Sequence, residues 1–466
     1  MFTAFSYLAC LFCRYNRSQA PQSTRIAKRQ LRQYVHFLVV VVSLIVLPQV
    51  PAQSFLLTSS LSVGSTPVYV LTADVNGDGS LDLIIVDLND TSVTVLTNNG
   101  RGVFTKEQIV YAGSCPYATV AADLTGRNTL DLVCANGCGS TLTILTNNAF
   151  GEFGANVSYT VGNGPLSLLA ADVNGDGKVD LVSANYDDST VTVLTNNGNG
   201  KFTTASTTGV GRFPCCIAAA DLNGDGKVDL VTGNGGDFTL TVLTNNGYGS
   251  FGYDATYPAG AYPGCIVIAD INGDGMPDLI CGSDDDALLV LTNNGTGGFV
   301  LSSSITMGAD FWPQSVIVAD LNGDGKLDLI CVNFNDSYMS GTLTIMTNNG
   351  TGDFTNFQSY PVGAGPYCVV AADLNRDGKP DLVMATHLDN TLSILMNVPK
   401  LDIAATANDV VISWASSWTN WSLFHNSYLN TGNWSIIDKS IVDDGTNKSL
   451  TITSPTGSAF FRLSQP

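Results

Sequence analysis

One nine-residue pattern, Asp-x-Asn-x-Asp-Gly-x-x-Asp, returns along this chain in near-constant register. Its first Asp falls at Asp74, Asp123, Asp172, Asp221, Asp270, Asp320 and Asp373, at spacings of 49, 49, 49, 49, 50 and 53 residues. A Pro stands seven residues before each, at Pro67, Pro116, Pro165, Pro214, Pro263, Pro313 and Pro366. A fixed period of this size is the signature of a fold built from stacked copies of one small unit.

Each unit reads as four short strands. A small apolar run follows the Pro, such as CIAAA (216–220), and suits a crowded inner strand. After the Asp loop come DLVTG (229–233) and the alternating TLTVL (239–243), which ends in Asn245-Asn246-Gly247. Asn and Gly accept positive φ, so that tripeptide reads as a hairpin turn. The fourth strand opens on Phe, with Gly nine residues later: Phe104/Gly113, Phe153/Gly162, Phe202/Gly211, Phe251/Gly260, Phe299/Gly308 and Phe354/Gly363. The seventh copy of that pair, Phe55/Gly64, precedes the first Asp loop instead of following the last. An open solenoid has no need of a displaced strand, whereas a ring of radial sheets needs one to close its edge. The expectation is an all-β chain: a seven-bladed β-propeller over 53–398, its N-terminal strand completing the last blade.

Six of the seven loops carry the full pattern. Oxygens at positions 1, 3, 5 and 9 plus the backbone carbonyl at position 7 can surround a hard cation, and Gly at position 6 allows the sharp turn. The candidate ligand sets are Asp74, Asn76, Asp78, Ser80 and Asp82; Asp172, Asn174, Asp176, Lys178 and Asp180; and Asp221, Asn223, Asp225, Lys227 and Asp229. The other three are Asp270, Asn272, Asp274, Met276 and Asp278; Asp320, Asn322, Asp324, Lys326 and Asp328; and Asp373, Asn375, Asp377, Lys379 and Asp381. Ca²⁺ suits such loops better than Mg²⁺, which keeps its waters and demands strict octahedral geometry. About six structural Ca²⁺ sites are therefore expected. In the second loop Arg127 stands where a ligand Asp should be, and its guanidinium is expected to pair with Asp123 and Asp131 in place of a metal.

These units resemble FG-GAP repeats, including the bacterial FG-GAP-like (VCBS-type) form, and more distantly the α-subunit propeller of integrins. The Phe…Gly…Pro frame, the Asp loop and turns such as TNNGNGKF (195–202) carry the resemblance over roughly three quarters of the chain. It implies a calcium-bearing propeller on the exported side of the cell, used for adhesion or ligand recognition. Arg376, where Gly is usual, is a departure that spares every ligand position.

Residues 1–52 read as a secretory leader. They hold six basic residues and no acid, then the 11-residue apolar run FLVVVVSLIVL (37–47), with small residues suited to cleavage after Ala52. The protein is read as secreted or cell-surface, from a bacterium. Residues 399–466 read as a small β domain, with Trp414, Trp418, Trp421 and Trp434 as its core and an end, AFFRL (459–463), similar to short C-terminal modules of some bacterial secreted proteins. Of the nine Cys beyond the leader, Cys115 and Cys138 are a candidate disulfide. Cys215 and Cys216 are read as unbonded to each other, and Cys216, Cys265 and Cys368 at one repeat position and Cys134, Cys281 and Cys331 at another as small buried strand residues.

Charge limits the partners. Lys and Arg number 20 against 40 Asp and Glu, a formal charge of −20, which repels nucleic acid. The expected partner is an extracellular glycan or protein, bound by a monomer. Aromatic residues on the face opposite the Asp loops, namely Phe311, Trp312 and Tyr262, with Phe213 in a comparable place, are the candidate recognition surface. No catalytic constellation is recognised: the chain beyond the leader has two His, His387 and His425, and two Glu, Glu107 and Glu152. The alternative is a calcium-assisted polysaccharide lyase on the same scaffold.

Overall fold

The computed structural model describes residues 53–466 except 309–310, 336–338, 406–408, 417, 419–420, 427–433, 438–440, 446, 454–458 and 465–466. The leader, 1–52, falls outside the described residues.

Seven four-stranded antiparallel sheets run through 53–399. Six are continuous in sequence: blade 1 (67–111), blade 2 (116–160), blade 3 (165–209), blade 4 (214–258), blade 5 (263–306) and blade 6 (312–362). Blade 7 consists of Pro366–Ala372, Asp381–Thr386 and Thr391–Pro399, and its fourth strand is Gln53–Ser62 from the other end of the chain. The displaced strand takes the register of all the others. Phe55 faces Asn397 just as Phe104 faces Asn98, Phe251 faces Asn245 and Phe299 faces Asn293. First strands pack on first strands from blade to blade, and that of blade 7 packs on that of blade 1. The N-terminal strand thus completes the last four-stranded sheet, as the displaced Phe55/Gly64 pair leads one to expect.

The core lies between neighbouring blades. Second strands such as Asp82–Asp87 and Asp229–Asn234 are buried along their whole length, while fourth strands such as Phe202–Gly209 bury little beyond the leading Phe. That Phe wedges against the previous blade: Phe202 meets Tyr159, Phe299 meets Tyr257 and Phe55 meets Tyr360, all edge to face. Cys134, Cys281 and Cys331 are wholly buried strand residues, as expected. Cys115 and Cys138 form a disulfide, and Cys215 and Cys216 are free.

The Gly of the Phe…Gly frame has a steric cause. It presses on the last residue of the second strand, so a Cβ at Gly64 would lie 2.4 Å from Asp87, and one at Gly162 would lie 2.7 Å from Asn185. Side chains cannot approach that closely.

Two small sheets follow the ring: Asp402–Ala405, Asp409–Ala415, Asn447–Thr453 and Ile441–Asp443 in one, Ser435–Ile437, Ser422–Asn426 and Phe460–Ser464 in the other. Ile412, Trp414 and Leu450 from the first and Leu423 from the second share one core with Trp418. Trp414 and Trp418 are core residues, and Trp434 lies under the Arg462 guanidinium, 4.5 Å from its carbon.

Candidate metal centre

The six complete loops lie on one face and share one hydrogen-bond scheme. In the first, the Asp74 carboxylate is wrapped by backbone, accepting from Gly77 N at 2.8 Å, Asp78 N at 3.2 Å and Gly79 N at 2.8 Å. Asn76 Oδ1 accepts from Asp78 N, and Asp78 Oδ1 accepts from Ser80 N. Loops at Asp172, Asp221, Asp270 and Asp320 repeat these contacts within a few tenths of an ångström.

Position 9 has a second role that the spacing alone does not reveal. Asp82 is fully buried, accepting from Val75 N at 3.1 Å and from Asn98 N at 2.9 Å. Asn98 closes the third strand, and its amide donates to Leu374 O in the previous blade at 2.8 Å. The same stitch runs from Asn147 to Val75 O, Asn196 to Leu124 O, Asn245 to Val173 O, Asn293 to Leu222 O, Asn348 to Ile271 O and Asn397 to Leu321 O. Each Asp loop is thereby hydrogen-bonded both to its own third strand and to the next blade. The first Asn of the recurring Thr-Asn-Asn turn was the sequence signal for this stitch.

Burial raises the pKa of these position-9 carboxylates, and the neighbouring Asp at positions 5 and 1 add to the rise. Asp82, Asp180, Asp229 and Asp278 are raised; Asp328 is pushed up to about 6 and Asp381 to about 7. The three carboxylates of each loop therefore repel one another. An all-oxygen set of this charge suits a hard cation. Among the described residues, however, no three His, Cys, Asp or Glu side chains converge where one ion would sit. As placed, the loop carboxylates serve backbone N–H groups. The residues fit a divalent ion by donor chemistry and by turn, and side-chain convergence is the element this structure does not supply.

The second loop differs from expectation in part. The Arg127 guanidinium lies 3.8 Å from Asp131 and donates to Thr125 Oγ1 at 2.7 Å. Asp123 is instead wrapped by backbone, including the N–H groups of Arg127 and Asn128. The guanidinium thus faces Thr125 and Asp131, and the backbone takes its expected place at Asp123.

Arg376 turns out to be a cross-blade contact. It sits at φ +60°, where loops one and three have Gly77 and Gly175. Its guanidinium crosses from blade 7 to the first loop, donating to Ser80 Oγ at 2.8 Å and Asp78 O at 3.1 Å. The seventh loop also meets the C-terminal sheets, with Lys379 Nζ 5.8 Å from the centre of the Trp418 ring. Asp377 is half-buried there, whereas Asp78, Asp176 and Asp225 are exposed.

On the opposite face, turns between second and third strands bond to the segments before each Pro, as in Tyr186 N to Gly164 O and Gly235 N to Phe213 O. The candidate aromatic surface needs correction here. Phe311, Trp312 and Tyr262 are half-buried; Trp312 pairs with Phe334 in a strand, and Tyr262 packs where a Cβ on Gly235 would lie 2.2 Å from its ring. The exposed aromatics of this face are Phe213, stacked on Tyr186 at 4.9 Å, with Phe238 and Tyr367. A central cavity of about 470 Å³ also opens here, lined by Tyr367 together with Tyr69, Tyr117, Tyr262, Cys215 and Asp284, among others.

Comparison with known proteins agrees with this architecture. The FG-GAP-like repeat pattern matches six overlapping windows, 74–134, 123–183, 172–232, 221–281, 270–331 and 320–384. Together they cover 74–384, about two thirds of the chain, each running from one Asp loop into the second strand of the next blade. Among solved structures, BBS1N in complex with ARL6DN, from mercury-soaked crystals, superposes with a TM-score of 0.55 at 16% identity, over 74% of this chain and 97% of that one. The lead-soaked form gives 0.54 at 15% identity, over 73% and 96%. A lectin of Agrocybe aegerita, described as recognising non-reducing terminal N-acetylglucosamine, aligns at 0.44 with 25% identity, over 63% of this chain and 80% of that one. No curated protein matches the chain.

Proposed function

This chain belongs to the FG-GAP-like repeat family, and we propose that it is an exported binding module: calcium in the Asp loops stiffens one face, and the other face takes a glycan or protein ligand. The observation that carries the reading is the chemical division of the ring. One face bears repeated, self-wound acidic turns, and the other bears exposed aromatics, one of which, Tyr367, lines a cavity. Rings such as the stacked Tyr186–Phe213 pair suit contact with the apolar face of a sugar or with a protein side chain.

The ions would be held by the loop residues, for example Asp74, Asn76, Asp78, the Ser80 carbonyl and Asp82. When bound, calcium neutralises carboxylates that otherwise repel one another. The chain's own part is to prewind each turn round its first Asp and to anchor the ninth on backbone N–H groups. Export rests on the leader reading of 1–52, and N-terminal sequencing of the expressed protein for a start after Ala52 tests it.

Binding is tested with the purified chain on a glycan array and by pull-down from an envelope extract. The wild type is expected to capture a ligand in calcium, and Phe213→Ala, with an unchanged melting temperature, to lose it. Retention of every ligand by that variant would move the binding surface elsewhere.

A further inference from the structure

Every first strand of the ring opens with a register slip beside its Pro, in blade 4 between Pro214 and Cys216. A regular strand sends adjacent side chains to opposite faces, and a bulge breaks that alternation and re-aims one of them. In blade 4 both residues at the slip are cysteines. The Sγ atoms of Cys215 and Cys216 donate to the same oxygen, Pro263 O, at 3.0 and 3.3 Å, and both residues line the central cavity. Room for the Cys216 sulfur comes from Gly233 in the second strand, where a Cβ would lie 2.5 Å from it. Blade 5 repeats the Cys–Gly exchange with Cys265 and Gly282, but its slip residue is Gly264, so it offers one thiol.

The two sulfurs are not equivalent. Cys215 is half-buried, with the Cys216 thiol and the Tyr262 hydroxyl beside it as groups able to donate to its thiolate. With those donors its thiol is held below the usual range, while the Cys215 sulfur beside it and burial push Cys216 up. Cys134, Cys281 and Cys331 are buried in strands, and burial raises their thiols too. Low-pKa, accessible thiols are the reactive ones.

We propose that Cys215 and Cys216 form a thiol–disulfide exchange site in the central cavity, with Cys215 as the attacking thiol and Cys216 as the resolving one. The substrate is a small-molecule disulfide, RSSR. The Cys215 thiolate attacks one sulfur, a Cys215–S–S–R bond forms, and RS⁻ leaves and takes a proton. The Cys216 thiolate then attacks the Cys215 sulfur and expels the second RS⁻. The products are a Cys215–Cys216 disulfide and two RSH, with two electrons passed to the small disulfide. A cavity of about 470 Å³ admits a small molecule, and Asp284 in its lining favours a cationic disulfide over an anionic one.

The test treats the full folded chain with cystamine and, separately, with glutathione disulfide, then maps cysteines by mass spectrometry. The wild type is expected to yield a linked Cys215–Cys216 peptide, faster with the cationic reagent. Cys216→Ser should instead accumulate a mixed disulfide on Cys215, and Cys215→Ser should do neither. Alkylation of untreated wild type supplies a readout without any variant: Cys215 should react at least about tenfold faster than Cys134, Cys281 or Cys331. Equal labelling of all free cysteines, or no adduct on Cys215 in the Cys216→Ser chain, would sink the site. A stable mixed disulfide in the wild type would remove Cys216 from it.

Discussion

Single residues carry the differences between otherwise equivalent blades, and Asp87 is the clearest. Blades 2, 3 and 4 end their second strands with Asn136, Asn185 and Asn234, whose amides donate to Thr hydroxyls on the third strand. Blade 1 has Asp87 there, which accepts from Thr94 Oγ1 but leaves its Oδ1 and the nearby Ser92 Oγ, both buried, without a partner. Burial pushes the Asp87 carboxyl up to about 6. A raised carboxylate pKa contributes stability below its unfolded value and loses it as pH rises through the folded one. Asp87→Asn is therefore expected to stabilise the chain by about 1 kcal/mol at pH 8, with a smaller gain at pH 5, as read by urea unfolding. Arg127 supplies a second test at this scale. Arg127→Asp with Asn128→Gly restores the loop pattern and should raise the calcium stoichiometry by one in titration calorimetry. An unchanged count would mean that Arg127 does not decide occupancy.

At the scale of elements, the strands and turns were legible because each has a local cause: alternation, Asn-Gly turns and a Pro at or beside the start of each blade's first strand. The displaced Phe55/Gly64 pair revealed the closing strand for the same reason. What local pattern could not reveal was where donors reach. Asn98 and Asp82 belong to different repeated motifs, and their contact lies across a fold that brings residues 16 apart in sequence side by side. The Asn98 amide then reaches a carbonyl 276 residues away, in blade 7. The aromatic surface was misread on the same grounds, since Tyr262 looks like a loop residue until Gly235 is seen to receive its ring. Removing one stitch gives the expected penalty. Asn245→Ala removes the amide that donates to Val173 O and Val228 O, of which Val173 O keeps only Gly249 N, and should cost roughly 1–3 kcal/mol, measured by chemical denaturation. Phe55→Ala removes the wedge between blades 6 and 7 and should cost about 3–5 kcal/mol.

For the whole molecule, electrostatics dominates. Six divalent ions would bring 6 × 2 = 12 positive charges to a chain with a formal charge of −20. Extracellular sites bind with a Kd of roughly 10⁻⁴–10⁻³ M, so each contributes about 0.4–1.4 kcal/mol at millimolar calcium. Chelation should lower the melting temperature, and an unchanged value would count against the ions. In chelator, stability should also fall between pH 5 and pH 8, because Asp328 and Asp381 are raised to about 6 and about 7 and ionise across that window. Calcium should flatten the fall. The pairing of Gln53–Ser62 with Thr391–Pro399 carries a consequence for synthesis. The strand Gln53–Ser62 leaves the ribosome early and meets its hydrogen-bonding partner only after every other blade has been translated, so the nascent chain spends that time with an open sheet edge at each end. Anything that stalls translation before Thr391 should leave a product prone to edge-to-edge aggregation.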